Sequence, residues 1–381
     1  MRIALLGAGT VGGGVIEIVD SRVPSLEVAR ILTLPGTYED PRVTYDFADI
    51  VSDDSIDCVV EAMGGLEPAH TFIMESMAAG KHVVTANKAV VAAYLPEFCA
   101  QAAKYGVGLF IEATSGGGIP WIASIVKARR IDTIERISGI LNGTSNYIID
   151  RMVKDGAEFA DVLARAQALG YAEADPSADI DGIDVANKCI ISSTVAFGTL
   201  CRRDIPVHGI RNLTKADLTA FAGLGYAVRL MARAARDDEG YAACVEPVLL
   251  PAASVEGNIP DNFNIATLVG STVGPLKFYG QGAGALPTGN AMVQDLIDCA
   301  GGQRPVYPTG ETLAWKPGLL RADYVFRTSA PLPADTPGTA VEVASGYLSV
   351  GALSATEAAA LADALLERDP STFMAAVADV D

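Results

Sequence analysis

The chain has 381 residues, of which 50% are hydrophobic, so it is long enough for two or three domains with apolar cores and too apolar to be disordered. Its 28 lysines and arginines against 46 aspartates and glutamates give a formal net charge of −18, which repels nucleic-acid phosphates and anionic lipids. We therefore expect no nucleic-acid partner and no membrane partner. Since no apolar stretch is long enough for a bilayer and no cleavable leader follows Met1, we expect a cytoplasmic location.

Six cysteines and three histidines are scattered along the chain. The cysteines stand at positions 58, 99, 189, 201, 244 and 299 without a CxxC pair, and the histidines at 70, 82 and 208. Residues so dispersed do not match the ligand spacing of a zinc site. We expect reduced cysteines packed in the cores.

Short apolar runs alternate with longer helical patterns over about the first 120 residues, which is typical of a parallel sheet flanked by helices. Strands are predicted at Arg2–Leu6, Leu26–Leu34, Cys58–Ala62, His82–Thr85 and Gly108–Glu112. Helices are predicted between them, among them Glu67–Ala79 and Leu95–Tyr105.

A different rhythm begins near residue 120. Two apolar runs, Ile125–Ile134 and Ile137–Leu141, precede an Asn142-Gly143 turn signal, and helices are predicted at Asn146–Val153, Glu158–Leu169 and Asp184–Phe197. This pattern predicts an α+β unit inserted into the first domain or appended to it. After residue 300 prolines interrupt most of the chain, and one further helix is predicted at Ala355–Arg368.

A glycine motif follows the first predicted strand. The segment GAGTVG, positions 7–12, matches GxGxxG between the strand IALL and the helical run VGGGVIEIV. Such glycines permit a tight turn, close approach of backbone to a pyrophosphate, and close packing of helix on strand, while the helix N terminus offers N–H groups. The alternative is a glycine-rich turn without a ligand. We predict a Rossmann-type, doubly wound α/β domain that binds a dinucleotide through Gly7, Gly9, Thr10, Val11 and Gly12.

The sequence indicates less clearly whether the nicotinamide cofactor is NAD or NADP. An acidic residue at the end of the second strand would bind the adenosine ribose of NAD, but the chain there reads ILTLP, and the nearest acids are Glu39 and Asp40. That absence favours NADP slightly, although only Arg30 is available nearby for a 2′-phosphate. The cofactor is predicted as NAD(P).

Hydride transfer to or from an alcohol needs a group that moves the hydroxyl proton. A lysine can accept that proton when burial or a neighbouring cation lowers its pKa from about 10.4 towards 7–8. Lys188 and Asp184 are four residues apart on one face of a predicted helix, and no charged residue follows over the next thirteen positions. A lysine and an aspartate at this spacing most often form a solvent-exposed ion pair. Because the helix must be largely buried, we instead predict a functional pair.

Two more segments carry candidate chemistry. Glu173, Asp175, Asp179 and Asp181 crowd a loop before the Lys188 helix and suit the ammonium of an amino-acid substrate. Lys88 follows a strand of the nucleotide domain, at the edge where such sheets bind ligands, although a loop lysine extending to water explains it equally well. The glycine-rich segment EATSGGGIP, 112–120, follows the next strand.

These segments together resemble homoserine dehydrogenases. Seven blocks occur in order over about 300 residues: GAGTVGGG, VVEAMGG, HVVTANK, EATSGGGIP, GILNGTSNYI, GYAEADPSADIDGIDVANK and, at Gly280–Asp295, GQGAGALPTGNAMVQD. The resemblance implies NAD(P)-dependent interconversion of L-homoserine and L-aspartate 4-semialdehyde, in the pathway to threonine and methionine.

The resemblance also implies residue roles. Lys188 matches the family's proton donor or acceptor, and Glu173 and Asp184 match groups that bind the substrate's amino and hydroxyl ends. Lys88 matches a lysine between cofactor and substrate, and Gly282 or Gly284 is expected near the nicotinamide. A structural sodium ion is implied on four backbone carbonyls, those of Glu112, Ser115, Gly117 and Ile119, with serine at 115 where valine is common.

The implied domain plan is an NAD(P)-binding domain over 1–120 and 280–305 and a substrate-binding and dimerisation domain over 121–279. The remaining 306–381 form a C-terminal extension too short and too proline-broken for a complete ACT domain, so threonine feedback is not expected. A homodimer through a sheet around residues 245–280 is expected from the family. Two alternatives stay open: a dehydrogenase of another amino-acid semialdehyde, and a non-catalytic nucleotide-sensing homologue.

Overall fold

The structure, a computed structural model, describes residues 1–378 and divides into two compact units. The first comprises Met1–Lys127 together with Gly280–Gly310. The second comprises Ala128–Tyr279 together with the described residues from Glu311 onward. The tail therefore belongs to the second unit.

A six-stranded parallel sheet forms the centre of the first unit, in the order β3-β2-β1-β4-β5-β6. The strands are β1 Arg2–Leu6, β2 Glu27–Leu32, β3 Val43–Thr44, β4 Cys58–Glu61, β5 His82–Thr85 and β6 Leu109–Phe110. This order is that of dinucleotide-binding doubly wound folds, in which ligands bind where the order reverses, here between β1 and β4. The Rossmann-type fold predicted from the alternating pattern is confirmed.

Six helices belong to the first unit, and α5 ends one residue beyond it. They are α1 Thr10–Arg22, α2 Ala48–Val51, α3 Ala69–Ala78, α4 Lys88–Tyr105, α5 Trp121–Ala128 and α11 Ala285–Ala300. Helix α4 is a full two turns longer than the predicted Leu95–Tyr105, because the Asn87 side chain caps it by accepting from Val90 N. Pro96 lies inside this helix rather than at its start.

A mixed ten-stranded sheet forms the centre of the second unit, with β11-β10-β7-β8-β9-β16-β13-β15-β14 in order and β12 paired to β9. The strands are β7 Ile134–Ile140, β8 Tyr226–Arg236, β9 Gly240–Pro251, β10 Phe263–Gly270, β11 Gly274–Gln281, β12 Ala314–Trp315, β13 Arg321–Arg327, β14 Ala340–Ala344, β15 Tyr347–Ser354 and β16 Phe373–Val377. Strands β8 and β9 are buried along most of their length, as expected for the middle of a covered sheet.

The helices of the second unit are α6 Gly143–Asp155, α7 Phe159–Ala168, α8 Ser177–Ile180, α9 Ile183–Phe197, α10 Lys215–Gly223 and α12 Ala355–Leu366. Side chains cap three of them: Asn142 on α6, Thr214 on α10 and Ser354 on α12. Within residues 1–378 none of the helices has the length and apolar character of a membrane span.

The tail contains more regular structure than the sequence predicted. Strands β13, β14, β15 and β16 all join the large sheet, and only α12 was expected there. The prolines at 331, 333 and 337 occupy the connection between β13 and β14, so they interrupt no strand. These strands have five to eight residues, and β14 is largely exposed, so their hydrophobic pattern is weak in the sequence.

Candidate functional site

The glycine motif forms the turn between β1 and α1. Gly7 has φ +95°, and a Cβ there would lie 2.9 Å from the Ala62 carbonyl oxygen on the neighbouring loop. A Cβ on Gly12 would lie 2.0 Å from the Gly7 oxygen, so only glycine fits both positions. Gly9, by contrast, has no described atom within 4 Å of its Cβ position.

This turn suits an anionic ligand. Helix α1 begins at Thr10, has thirteen residues and carries no acidic residue in its first turn. Its first N–H groups and the open face of Gly9 therefore form a positive, uncrowded end suited to a pyrophosphate. Gly7, Gly9, Thr10, Val11 and Gly12 fit the dinucleotide role predicted for them.

A fully buried carboxylate, Glu61, links the two loops beside this turn. At the end of β4, its Oε1 accepts from Met63 N at 2.9 Å and Gly64 N at 3.4 Å. Its Oε2 accepts from the Thr85 hydroxyl at 2.5 Å, at the end of β5. Asn87 Nδ2 donates to Glu61 Oε1 at 3.4 Å. Glu61 thereby fixes both loops at the carboxyl edge of the sheet.

Lys88 is held by the same arrangement. It is half-buried and opens α4, directly after Asn87, whose Nδ2 also donates to the Gly65 carbonyl at 2.7 Å. The lysine predicted in a loop is therefore helical. Its backbone position depends on Asn87 and, through Asn87, on Glu61.

The segment after β11 returns to the first unit and meets the 112–120 loop. Gly118 N donates to the Gln281 carbonyl at 3.0 Å, and a Cβ on Gly117 would lie 2.3 Å from the Gly282 carbonyl carbon. Helix α11 then packs against α1 so closely that a Cβ on Gly14 would lie 2.1 Å from the Ala285 oxygen. Gly282 is thus held beside the loop that follows β6.

The Glu112 carboxylate caps α5. Its oxygens accept from Ile122 N at 3.0 Å and Ala123 N at 2.6 Å, while its own N–H donates to Asp295 at 3.1 Å. The predicted strand Gly108–Glu112 is shorter than expected because the chain turns here into a single 3-10 turn, Glu112–Thr114. Burial raises the pKa of Glu112 to about 7.

Burial of Glu112 should make the stability of the protein depend on pH. This carboxyl has a pKa near 4.5 in the unfolded chain and near 7 in the folded protein. The protonated carboxyl therefore contributes its full share to the free energy of unfolding below about pH 4.5, where both states hold the proton. The free energy of unfolding should then fall by about 3 kcal/mol as pH rises through 7. Glu112→Gln should remove this part of the slope in denaturant titrations at successive pH values, and the slope that buried Asp295 and Asp179 produce should remain. A matched substitution of exposed Glu75 should keep it, and an unchanged slope in Glu112→Gln would contradict the assignment.

The carbonyls predicted to hold sodium lie on this same loop. The Glu112 oxygen accepts from Ser115 N at 3.3 Å and the Ile119 oxygen accepts from Trp121 N at 2.8 Å. Gly117 has φ +58°. Oxygen donors of this type suit a hard cation, and a carbonyl with one hydrogen bond retains a second lone pair.

In the second unit, the Lys188 amine is buried on α9, with the whole residue 8% exposed. Its Nζ donates to the Leu141 carbonyl at 2.6 Å and to Asp184 Oδ2 at 2.8 Å. The i,i+4 spacing read from the sequence therefore produces a buried pair and not a solvated one. Two acceptors hold the amine at the carboxyl end of β7.

Asn142 connects this pair to the acidic loop. Its Nδ2 donates to Asp184 Oδ2 at 2.9 Å and to Asp179 Oδ1 at 2.7 Å, while its Oδ1 accepts from Ser145 N at the start of α6. Burial raises the pKa of Asp179, and the Asp184 charge adds to that increase. A chain of three polar side chains thus leads from Lys188 to the loop predicted to bind an ammonium.

The other acids of that loop are arranged differently. Glu173 is exposed, and its backbone carbonyl accepts from Gln167 Nε2 at 3.0 Å. Asp181 pairs through both oxygens with Arg211, and Asp175 accepts from Ser177 N. Among the hydrogen bonds of residues 1–378, Asp179 joins the Lys188 network and Glu173 does not.

Two residues of this geometry were missed by the sequence analysis. Glu61 left a signal, since it is the one charged residue in the apolar run CVVEAM. Asn142 was read only as a turn residue, although an asparagine directly before a helical run is also an N-cap signal. No sequence pattern predicts the hydrogen bond from Asn142 to Asp184, because the two residues are 42 positions apart.

The end of β2 is free of acidic side chains at the predicted ribose position. Thr33 and Thr37 share a hydroxyl–hydroxyl bond of 2.7 Å, and Leu34 is exposed. Asp40 instead pairs with Arg42, which holds the pKa of that carboxyl at about 2. Arg42 also pairs with Asp20, so its guanidinium is engaged on both sides.

The strand order, the glycine turn and the buried lysine–aspartate pair define a Rossmann-type oxidoreductase that uses a nicotinamide dinucleotide. Comparison with known proteins gives the family. The homoserine dehydrogenase family model matches residues 120–297, and the model of the homoserine dehydrogenase NAD binding domain matches residues 7–112. The chain belongs to the homoserine dehydrogenase family.

Individual relatives agree with the family models. A homoserine dehydrogenase from Synechocystis sp. is 42% identical over 322 residues, 79% of this chain and 73% of that protein. A solved homoserine dehydrogenase from Thiobacillus denitrificans has a TM-score of 0.88 at 32% identity, covering 100% of this chain and 99% of that one. A hyperthermophilic archaeal homoserine dehydrogenase in complex with NADPH has a TM-score of 0.68 at 25% identity, covering 80% and 99%. The predicted activity, NAD(P)-dependent interconversion of L-homoserine and L-aspartate 4-semialdehyde, is confirmed.

Proposed function

We propose that Lys188 exchanges the proton of the substrate hydroxyl in this reaction, while the first unit binds the dinucleotide. The buried amine on α9 carries the proposal, because two acceptors, Leu141 O and Asp184, fix its position. A buried ion pair is costly to maintain for stability alone. A fixed amine within reach of a hydroxyl suits general acid–base catalysis.

In the oxidation direction, the uncharged Lys188 amine accepts the hydroxyl proton of homoserine, and in reduction the ammonium returns it to the aldehyde oxygen. Asp184 orients the amine and binds the hydroxyl end of the substrate. The nicotinamide ring, when bound, supplies or accepts the hydride. Gly7, Gly9, Thr10, Val11 and Gly12 would hold the pyrophosphate of the dinucleotide, and Gly282 would contribute to the nicotinamide end of its site.

The remaining predicted residues take supporting roles. We propose that Glu173 binds the substrate ammonium, together with Asp179 from the Asn142 network. Lys88 at the start of α4 is proposed to contact both cofactor and substrate. The predicted domain 121–279 is proposed to supply the substrate site.

Steady-state assays of reduced-nicotinamide absorbance test this function, with homoserine and each of NAD and NADP in turn. Substrates one methylene shorter and longer serve as matched comparisons. We expect turnover to be highest with homoserine. Equal turnover on a homologue would contradict the substrate assignment.

Cofactor preference should respond to one residue at the end of β2. Thr33→Asp places a carboxylate where NAD-specific folds bind the ribose 2′-hydroxyl and where it repels a 2′-phosphate. We expect kcat/KM for NAD relative to NADP to rise about tenfold or more, an effect of about 1.4 kcal/mol. Thr37→Val, which removes the hydroxyl partner on the following turn without adding a charge, is the control. No change in the ratio would place the adenosine ribose elsewhere.

Four further features belong to the proposal. The chain is proposed to work in the cytoplasm as a homodimer, and β11 supports the dimer as an edge strand that exposes Leu276 and Tyr279. Size-exclusion chromatography with light scattering tests the dimer.

A sodium ion is proposed on the carbonyls of Glu112, Ser115, Gly117 and Ile119. Melting temperatures measured in sodium salts and in lithium or choline salts test this site. The tail, in which four strands, β12 to β15, precede α12 and β16 follows it, is proposed not to be a complete ACT domain.

A further inference from the structure

Asn264, near the start of β10, is fully buried with an unused amide. It is 0% exposed, and neither Oδ1 nor Nδ2 has a hydrogen-bond partner among residues 1–378. A buried amide without partners is costly, and native proteins contain few of them. Such a group calls for a ligand or for ordered water.

The sheet register places Asn264 beside the Lys188 site. In the antiparallel pair of β10 and β7, Ile265 lies opposite Ile140, so Asn264 lies next to Leu141. The Leu141 carbonyl is the acceptor that holds Lys188 Nζ at 2.6 Å. Asn264 is therefore a close neighbour of the catalytic amine's anchor.

Strand alternation places Asn264 on the face of the sheet towards the beginning of α9. Ile265 packs with Ile140 and Met231 in a core cluster on the other face. Ala266 has the same orientation as Asn264, two positions along β10. Across the sheet, Ala266 pairs with Gly139, Gly139 with Ala232, and Ala232 with Val245, so Val245 lies on the face of Asn264. A Cβ on Gly182, which precedes α9, would lie 3.2 Å from Val245. Asn264 and the Lys188 helix thus lie on the same side of the sheet.

A second asparagine strengthens the pattern. Asn146 on α6 donates to the carbonyls of Ile259 and Asp261, which fixes the chain just before β10, but its own Oδ1 has no partner in the described chain. Asn142, the capping residue that precedes α6, is the residue that binds Asp184. Unused polar atoms therefore cluster around one end of the Lys188 network.

We propose that Asn264 Nδ2 donates a hydrogen bond to the α-carboxylate of the substrate and makes the site specific for α-amino acids. This inference rests on the proposed function, which assigns the ammonium to Glu173 and the hydroxyl to Lys188 and Asp184 but leaves the carboxylate without a donor. Since that site is rich in acids, a substrate carboxylate needs donors to offset repulsion. The Asn264 amide supplies one already freed of water.

The test pairs variants with substrates that lack one group. Homoserine is compared with 3-aminopropan-1-ol, which lacks the carboxylate, and 4-hydroxybutanoate, which lacks the amine. Asn264→Ala should lower kcat/KM for homoserine and 4-hydroxybutanoate about 10- to 100-fold, the value of a hydrogen bond to a charged group, and leave 3-aminopropan-1-ol unchanged. Where turnover of an analogue is too slow, its inhibition constant against homoserine is the readout.

Three further variants separate recognition from structure. Asn264→Asp is nearly isosteric and should lower kcat/KM for homoserine more than alanine does, since it repels the carboxylate, while sparing 3-aminopropan-1-ol. Asn146→Ala removes bonds to backbone and should lower the melting temperature and affect all three compounds alike. Asn258→Ala, which removes amide bonds to the Ala252 and Ser254 carbonyls at an exposed turn, is a second structural control and should affect all three compounds alike.

Two results would overturn different claims. An equal loss on all three compounds in Asn264→Ala and Asn264→Asp would make Asn264 a structural residue and overturn its assignment. Absence of wild-type turnover on homoserine, with NAD or NADP, would overturn the proposed function instead.

Discussion

Replacing Lys188 with alanine should lower turnover of homoserine by a factor of about 10²–10⁴, because the variant lacks the group that moves the hydroxyl proton. Cofactor affinity should survive, since the glycine turn that binds the dinucleotide belongs to the other unit. Steady-state rates and NADPH fluorescence titrations measure the two quantities separately.

Two variants make this result specific. Lys188→Arg keeps a cation beside Asp184 but offers no uncharged form to accept a proton, so it should be nearly as inactive as alanine. Lys154→Ala breaks a second i,i+4 lysine–aspartate pair, with Asp150, in which the lysine side chain is 47% exposed, and should retain nearly full activity. A Lys188→Ala enzyme with more than about half the parental rate would remove Lys188 from the mechanism.

Replacing Glu246 with leucine should cost about 3–5 kcal/mol of unfolding free energy, because it leaves a buried arginine without its counter-charge. Glu246 on β9 is 1% exposed, and its Oε1 accepts from Arg233 Nη1 at 2.7 Å. The Tyr324 hydroxyl of β13 donates to Oε2 at 3.0 Å. The same carboxylate therefore connects the central strands of the second unit to the tail.

Restoring charge balance should reverse most of that loss. The double variant Arg233→Met, Glu246→Leu removes both charges, so its unfolding midpoint in denaturant should lie well above that of Glu246→Leu. It should stay below the parental value by the cost of the buried Tyr324 hydroxyl left without its acceptor. Glu27→Leu, which breaks an exposed pair with Arg2, should change stability by less than about 1 kcal/mol. A Glu246→Leu variant as stable as the parent would show that the charge of Arg233 is compensated elsewhere.

Local features of the site could be predicted from the sequence because their chemistry lies within a few consecutive positions. The glycine turn at 7–12 depends on backbone sterics of adjacent residues, and the Lys188–Asp184 pair depends on the repeat of one helix. Strands β1 and β5 have the predicted bounds because each is a short apolar run with clear ends. The family could be identified in the same way, because each of the seven matching blocks is a short run of consecutive residues.

Contacts between distant segments were decided by packing. The cap that Asn87 provides begins α4 seven residues before the predicted Leu95, and strands β13 to β16 of the tail pair within the large sheet. The acceptor that fixes Lys188, the Leu141 carbonyl, is 47 positions away. Asn264 reaches the same place through a neighbouring strand.

The amino-acid sequence by itself determined the class of the fold, the dinucleotide turn, the family and the lysine proposed to move the proton. The tertiary structure alone decided which acceptors hold that lysine and that Glu61 joins two loops. It also decided that the buried Asn264 amide has no hydrogen-bond partner among the described residues. The physical reason is the sequence separation of the interacting residues. Helix and strand propensity and hydrophobic periodicity act between residues a few positions apart, so they can be recognised in the sequence. Hydrogen bonds across a core join residues whose separation in the chain follows no repeating pattern.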